Sequence, residues 1–124
     1  MEFVKTDKAP EAIGPYSQGT IINKTVFVSG QIPINVETGE LETDIEKATL
    51  ACLTNVLEIV KASGSSIDRI AKVNVYVRNI EEFDKINRIY ANFFGDHKPA
   101  RALVEVSKLP KNSVIEIEAI AEIE

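Results

Sequence analysis

Arg101 raises the question of chemistry. It stands in HKPARALVEVSKLP (97–110), where a proline-bearing loop gives way to an alternating, β-branched stretch. Strand alternation places Arg101 on one face with Leu103, Glu105 and Ser107, and puts Ala100, Ala102, Val104 and Val106 on the other. A guanidinium there is either a solvated edge residue or a fork awaiting a carboxylate, which it grips through two parallel charge-assisted hydrogen bonds. The final strand, SVIEIEAIAEI (113–123), adds Glu116 and Glu118 on one face. Singly, each of these three residues fits an exposed or ion-paired surface group. Together they offer a cation for an organic anion and an acid–base group, on what read as adjacent C-terminal strands. That combination suits a small anionic ligand.

Other reactive residue types are scarce. His97 is the sole histidine, and no cluster of Cys, His and carboxylates has metal-ligand spacing. Beside Lys98 and Pro99 it reads as a solvated loop residue. Cys52 falls on the buried stripe of a helix, which suits a small core hydrophobe rather than a nucleophile. Ser29-Gly30-Gln31 ends a strand, where a glycine marks either a tight turn or close approach of another group. Asn87 shares an apolar helical stripe with Phe83, Tyr90 and Phe94. A buried amide needs partners, and tying down a neighbouring loop is the plain reading.

Two helices and several strands must position these groups. TDIEKATLACLTNVLEIVKASG opens with Thr43 and Glu46 in capping-box register, repeats apolar residues at helical spacing from Ile45 to Val60, and stops at Gly64. NIEEFDKINRIYANFFG is capped by Asn79 and closed by Gly95, with acidic residues in its first turn. Strands are predicted in residues 2–5 and 18–23, in KTVFVSGQI and RIAKVNVYVR, and in the two C-terminal segments, with a turn at Asn23-Lys24. The order β-β-β-α-β-α-β-β predicts an α+β fold: a mixed six-stranded sheet with both helices on one face. Alternation puts Ala71, Val73, Val75 and Val77 on one side of their strand, and Ile70, Lys72, Asn74, Tyr76 and Arg78 on the other. The face away from the helices is then half apolar and half charged, which fits a subunit contact better than water.

Length and charge bound the remainder. The 124 residues suffice for one domain, 1–124, with a real core. The net charge of −5 argues against a dedicated nucleic-acid binder, which needs a basic surface. No apolar run reaches membrane-span length, and MEFVKTDKAP lacks a signal-peptide core. With a single cysteine, a reducing cytoplasm is the expected compartment.

Five ordered blocks then resemble one family nearly end to end: AIGPYSQG (12–19), VFVSGQIPINVETGEL (26–41), VNVYVRNIEEFDKIN (73–87), PARALVEVSKLP (99–110) and VIEIEAIA (114–121). The resemblance is to the RidA/YjgF family of reactive enamine/imine deaminases. It implies a chorismate-mutase-like α+β fold and a homotrimer with sites at the subunit clefts. It also implies hydrolysis of 2-imino acids to 2-oxo acids and ammonia, with no cofactor and no metal. Carried over by position, Arg101 is the substrate-carboxylate clamp and Glu116 the residue that holds the attacking water. Tyr16, Ser29, Gly30 and Asn87 line the pocket, and Leu103 offers a backbone carbonyl to the water. Glu118 has no counterpart role and is read as structural. Leu103 departs from a cysteine found in many members, and Ala48 from a glutamine. The family also carries labels of RNA cleavage and translation inhibition, and a non-catalytic holdase or ligand-binding role forms a third class.

Overall fold

The computed structural model describes residues 1–124. Its strands are β1 (Glu2–Val4), β2 (Gly19–Ile22), β3 (Thr25–Gln31), β4 (Ile70–Val77), β5 (Ala100–Glu105) and β6 (Ile115–Glu122); its helices are α1 (Ile45–Ala62) and α2 (Phe83–Phe94). They form one six-stranded sheet in the order β1-β2-β3-β6-β4-β5, with β4 and β5 parallel and the other neighbours antiparallel. Mixed sheet, element order and two helices are as the alternation and helical periods predict. One correction concerns β5 and β6. They are consecutive in sequence but not adjacent in the sheet, because β4 lies between them.

Helix α1 packs on β3 and β6 and against α2. Its stripe of Ile45, Ala48, Cys52, Leu53, Val56, Ile59 and Val60 is buried, meeting Val26, Val28, Val73, Val75, Ile117 and Ala119 in a single core. Asp44 caps it, accepting from Lys47 N at 3.0 Å. Thr43 therefore does not cap: the acceptor one residue later has the extended backbone of an N-cap. Asn79 caps a short 3-10 turn (80–82) that leads into α2, and Gly95 closes α2 at φ 62°. The predicted Asn23-Lys24 turn forms, with Asn23 in the left-handed region at φ 55°.

The faces of β4 need a second correction. Val73, Val75 and Val77 point into the core as alternation requires, but so does Ile70, while Ala71 is exposed. The cause is a bulge. Ile70 opposes Ala121 and Lys72 opposes Ile120, so Ala71 is an extra residue and alternation changes phase there.

A second bulge lies in β3. Val28 pairs with Ala119 and Gln31 with Ile117, so Ser29 and Gly30 together oppose Glu118 alone. Bulges re-aim the chain beside functional groups, and this one sets Gly30 under Glu116.

Candidate active site

Two half-sites emerge, on opposite faces of the sheet. Arg101 on β5 pairs with Val73, a core residue, so its side chain shares the helix-covered face. There its Nη1 donates to Asn87 Oδ1 at 2.7 Å, and its guanidinium carbon lies 4.7 Å from the Tyr90 ring and 5.8 Å from the Phe83 ring. No acid pairs with it. Within the chain, then, Arg101 is not an edge residue neutralised by a neighbouring carboxylate. Asn87 does not tie down a loop; it orients the arginine.

Glu116 projects from the other face. It alternates with fully buried Ile115 and Ile117 and pairs with Tyr76. Its carboxylate has no hydrogen-bond or ion-pair partner, and burial followed by the charge of Glu118 raises its pKa above the usual glutamate value. Glu118, by contrast, is committed: its Oε2 accepts from Asn74 Nδ2 at 3.0 Å and from the Tyr76 hydroxyl at 2.9 Å. One glutamate is thus held by two donors, and its neighbour is left without a partner and with a raised pKa. Asn74 and Tyr76 carry no signal for this beyond their place on the same strand face.

Gly30 explains how Glu116 fits. A Cβ at this position would sit 2.8 Å from both Cδ and Oε2 of Glu116, so only glycine leaves room for the carboxylate. Gly30→Ala should leave the fold intact, because the displaced atoms end a flexible side chain. It should lower turnover by about 10–100-fold by misplacing the carboxylate, and activity assays beside a melting curve would read both effects.

Ser29 connects the segment that bears Tyr16 to the bulge beneath Glu116. Ser29 Oγ donates to Ser17 O, and Ser29 N donates to Gln18 O at 2.9 Å, which pins the segment bearing Tyr16 to β3. Tyr16 itself is 54% exposed and lines a groove of about 800 Å³ between the N-terminal segment, Val36 and Lys111. That groove contains neither Arg101 nor Glu116. Sequence reasoning passed over Gln18. This buried side chain accepts from Thr6 N at 2.7 Å and donates to Thr6 O and Pro10 O, holding the Tyr16 segment from behind. Its place inside AIGPYSQG was the available signal.

The remaining predicted residues separate cleanly. Leu103 lies two positions beyond Arg101 on β5, half-buried and paired with Val75. Cys52 is fully buried, and burial pushes its thiol well above the ordinary value, with Glu116 adding to the rise; it is an inert core residue. His97 is not the solvated loop residue expected. It is half-buried, with Nε2 at 2.7 Å from Ile70 O, and locks the loop before β5 onto the start of β4. No group of three or more His, Cys, Asp or Glu side chains could hold a metal ion, and no helix is long and apolar enough to cross a membrane.

A mixed sheet with both helices on one face defines an α+β protein, and an arginine and a glutamate without ion-pair partners mark its candidate site. The Endoribonuclease L-PSP family matches residues 6–123. A RutC family protein of Pyrococcus abyssi is 46% identical over 97% of this chain and 95% of its own length. An Escherichia coli relative, provisionally described as the reactive intermediate deaminase TdcF, is 42% identical over 97% and 95%. Among solved structures, that of E. coli TdcF with bound serine superposes with a TM-score of 0.96 at 41% identity, and that of the E. coli YjgF gene product with 0.96 at 42%; both match over the whole of each chain. The chain belongs to the RidA/YjgF family, whose sequence model carries the L-PSP description.

Proposed function

We propose that the protein is an imine deaminase, hydrolysing 2-imino acids such as 2-iminobutanoate and 2-iminopropanoate to 2-oxo acids and ammonia. The observation that carries this reading is the guanidinium of Arg101, fixed by Asn87 with no acid against it. Such a fork fits a substrate carboxylate in bidentate fashion. The iminium carbon is already electrophilic, so the protein needs only to place substrate and water. Glu116 takes a proton as water oxygen bonds to that carbon. Glu116 then returns that proton to the carbinolamine nitrogen, C–N breaks as the oxygen forms C=O, and the hydroxyl proton leaves with the ammonia as ammonium. The Leu103 carbonyl supplies the water with a second acceptor, a role that tolerates leucine for cysteine.

Because Arg101 and Glu116 point from opposite faces of one sheet, a single chain does not bring them together. That opposition supports a site assembled between copies, which in this reading form a homotrimer: the Arg101 face of one chain, with Asn87 and Leu103, meets the Glu116, Gly30, Ser29 and Tyr16 face of the next. The part-apolar sheet face around exposed Phe27 supports that contact. Proximity of TdcF, described as a deaminase, supports the reaction class. The test supplies imine from a threonine or serine dehydratase. Added protein should speed 2-oxo acid release, and release at the dehydratase's own rate would overturn the reading. The L-PSP description favours a second reading, RNA cleavage. Cleavage by a nuclease-free preparation, lost with Arg101, would select it; the acidic net charge of −5 weighs against it.

A further inference from the structure

Arg101 keeps its charge for a ligand only if whatever holds it brings no counter-charge. A carboxylate in that place would neutralise the fork and occupy the donors a ligand needs. The surroundings meet the condition. Phe83, Asn87 and Tyr90 come from α2 at spacings of four and three, one strip of helix surface, and contribute two ring faces and a neutral amide oxygen. Tyr90 is the nearer ring, at 4.7 Å against 5.8 Å for Phe83.

Tyr90 also carries an unexplained atom. Its hydroxyl is buried and has no hydrogen-bond partner, an arrangement that opposes folding. The ring, in contrast, is well supported. It packs 4.7 Å from the Phe94 ring, which is buried in the core and itself braced edge-on by Phe93 at 5.2 Å. Burial raises the phenol's pKa, so the group stays neutral beside the arginine and adds no charge. The useful part of this side chain is its face.

We propose that Tyr90 is a positioning residue for Arg101, acting through its ring face and not its hydroxyl, so that uncharged groups alone hold the fork. Phe94 passes the rigidity of the core to Tyr90, and Tyr90 passes it to the guanidinium. The purpose of this device rests on the deaminase reading; its geometry does not.

The test compares Tyr90→Phe and Tyr90→Leu with the wild type, following the Arg101 Nε–Hε group by ¹⁵N relaxation, its peak assigned by loss in Arg101→Lys. Tyr90→Phe should keep the wild-type order parameter and melt at the same or a higher temperature, being freed of the unpaired hydroxyl. Tyr90→Leu should leave the Arg101 side chain mobile. With 2-iminobutanoate, Tyr90→Leu should raise KM by about 2- to 30-fold with kcat within about twofold, and Tyr90→Phe should change neither. Tyr90→Met, closer in volume, replaces the leucine variant if that one does not fold. A rigid Arg101 in Tyr90→Leu overturns the proposal, as does a Tyr90→Phe protein that loses order or affinity. Mobility in Tyr90→Leu with no imine turnover even in the wild type upholds the positioning role and rejects the deaminase reading.

Discussion

Arg101→Ala should lower kcat/KM for 2-imino acids by about 10²–10⁴-fold. The estimate follows from two charge-assisted hydrogen bonds to the substrate carboxylate, each contributing roughly 1.5–3 kcal/mol. The loss should fall on the ligand and not on the fold. Arg101 makes no ion pair, and its removal strands a single acceptor, Asn87 Oδ1, in a half-exposed setting. The melting temperature should therefore hold to within a few degrees. Arg101→Lys restores the charge as a point without the planar fork, so it should recover only part of the rate. Steady-state turnover of dehydratase-generated imine, alongside calorimetric binding of a 2-oxo acid, reads both quantities. Undiminished turnover in Arg101→Ala would remove the clamp from the mechanism.

Glu116→Gln should cost about 10²–10⁴-fold in kcat, the usual contribution of a positioned general acid–base. Glutamine fits over Gly30 nearly as glutamate does, so the change isolates the proton. Wild-type activity requires the carboxylate form. Since burial and Glu118 raise the Glu116 pKa, the acid limb of the pH–rate profile should lie above the ordinary glutamate range. Stability responds in the opposite sense. A carboxyl whose folded pKa exceeds its unfolded one stabilises the fold below the unfolded pKa, and that stability is lost as pH rises through the folded pKa. Glu116→Gln removes this titration. It should match the wild type at low pH and melt at an equal or higher temperature at pH 7. A Glu116→Gln protein that is both active and less stable at pH 7 would contradict the assignment.

Local structure was largely readable from the sequence, and face-to-face relations were not. Helical periods located α1 and α2, and the alternation of Val73, Val75 and Val77 located the core face of β4. Alternation failed at Ile70 because a single inserted residue, Ala71, shifts its phase, and nothing in the composition of RIAKVNVYVR marks that bulge. Thr43 fitted a capping box, but Asp44 offered an equal acceptor one residue nearer the helix. The placement of Arg101 and Glu116 was least legible. Both strands could be drawn from their residues, yet only the pairing of β4 between β5 and β6 shows that the two charges face opposite ways. Asn87 was visible as an amide needing partners, and its partner, 14 residues away, depended on how α2 sits over β5. Tyr90 read as ordinary stripe, because ring-face contact with a guanidinium leaves no mark in helical spacing.

Those opposed faces make the shared cleft the central claim, and mixing two inactive variants tests it most directly. Arg101→Ala and Glu116→Gln chains, co-expressed in equal amounts, each retain the group the other lacks. If the site spans two chains, random assembly joins an intact arginine to an intact glutamate in about one cleft of four, and about a quarter of wild-type activity should return. Mixed assemblies with no more activity than either parent alone would contradict a site built between chains.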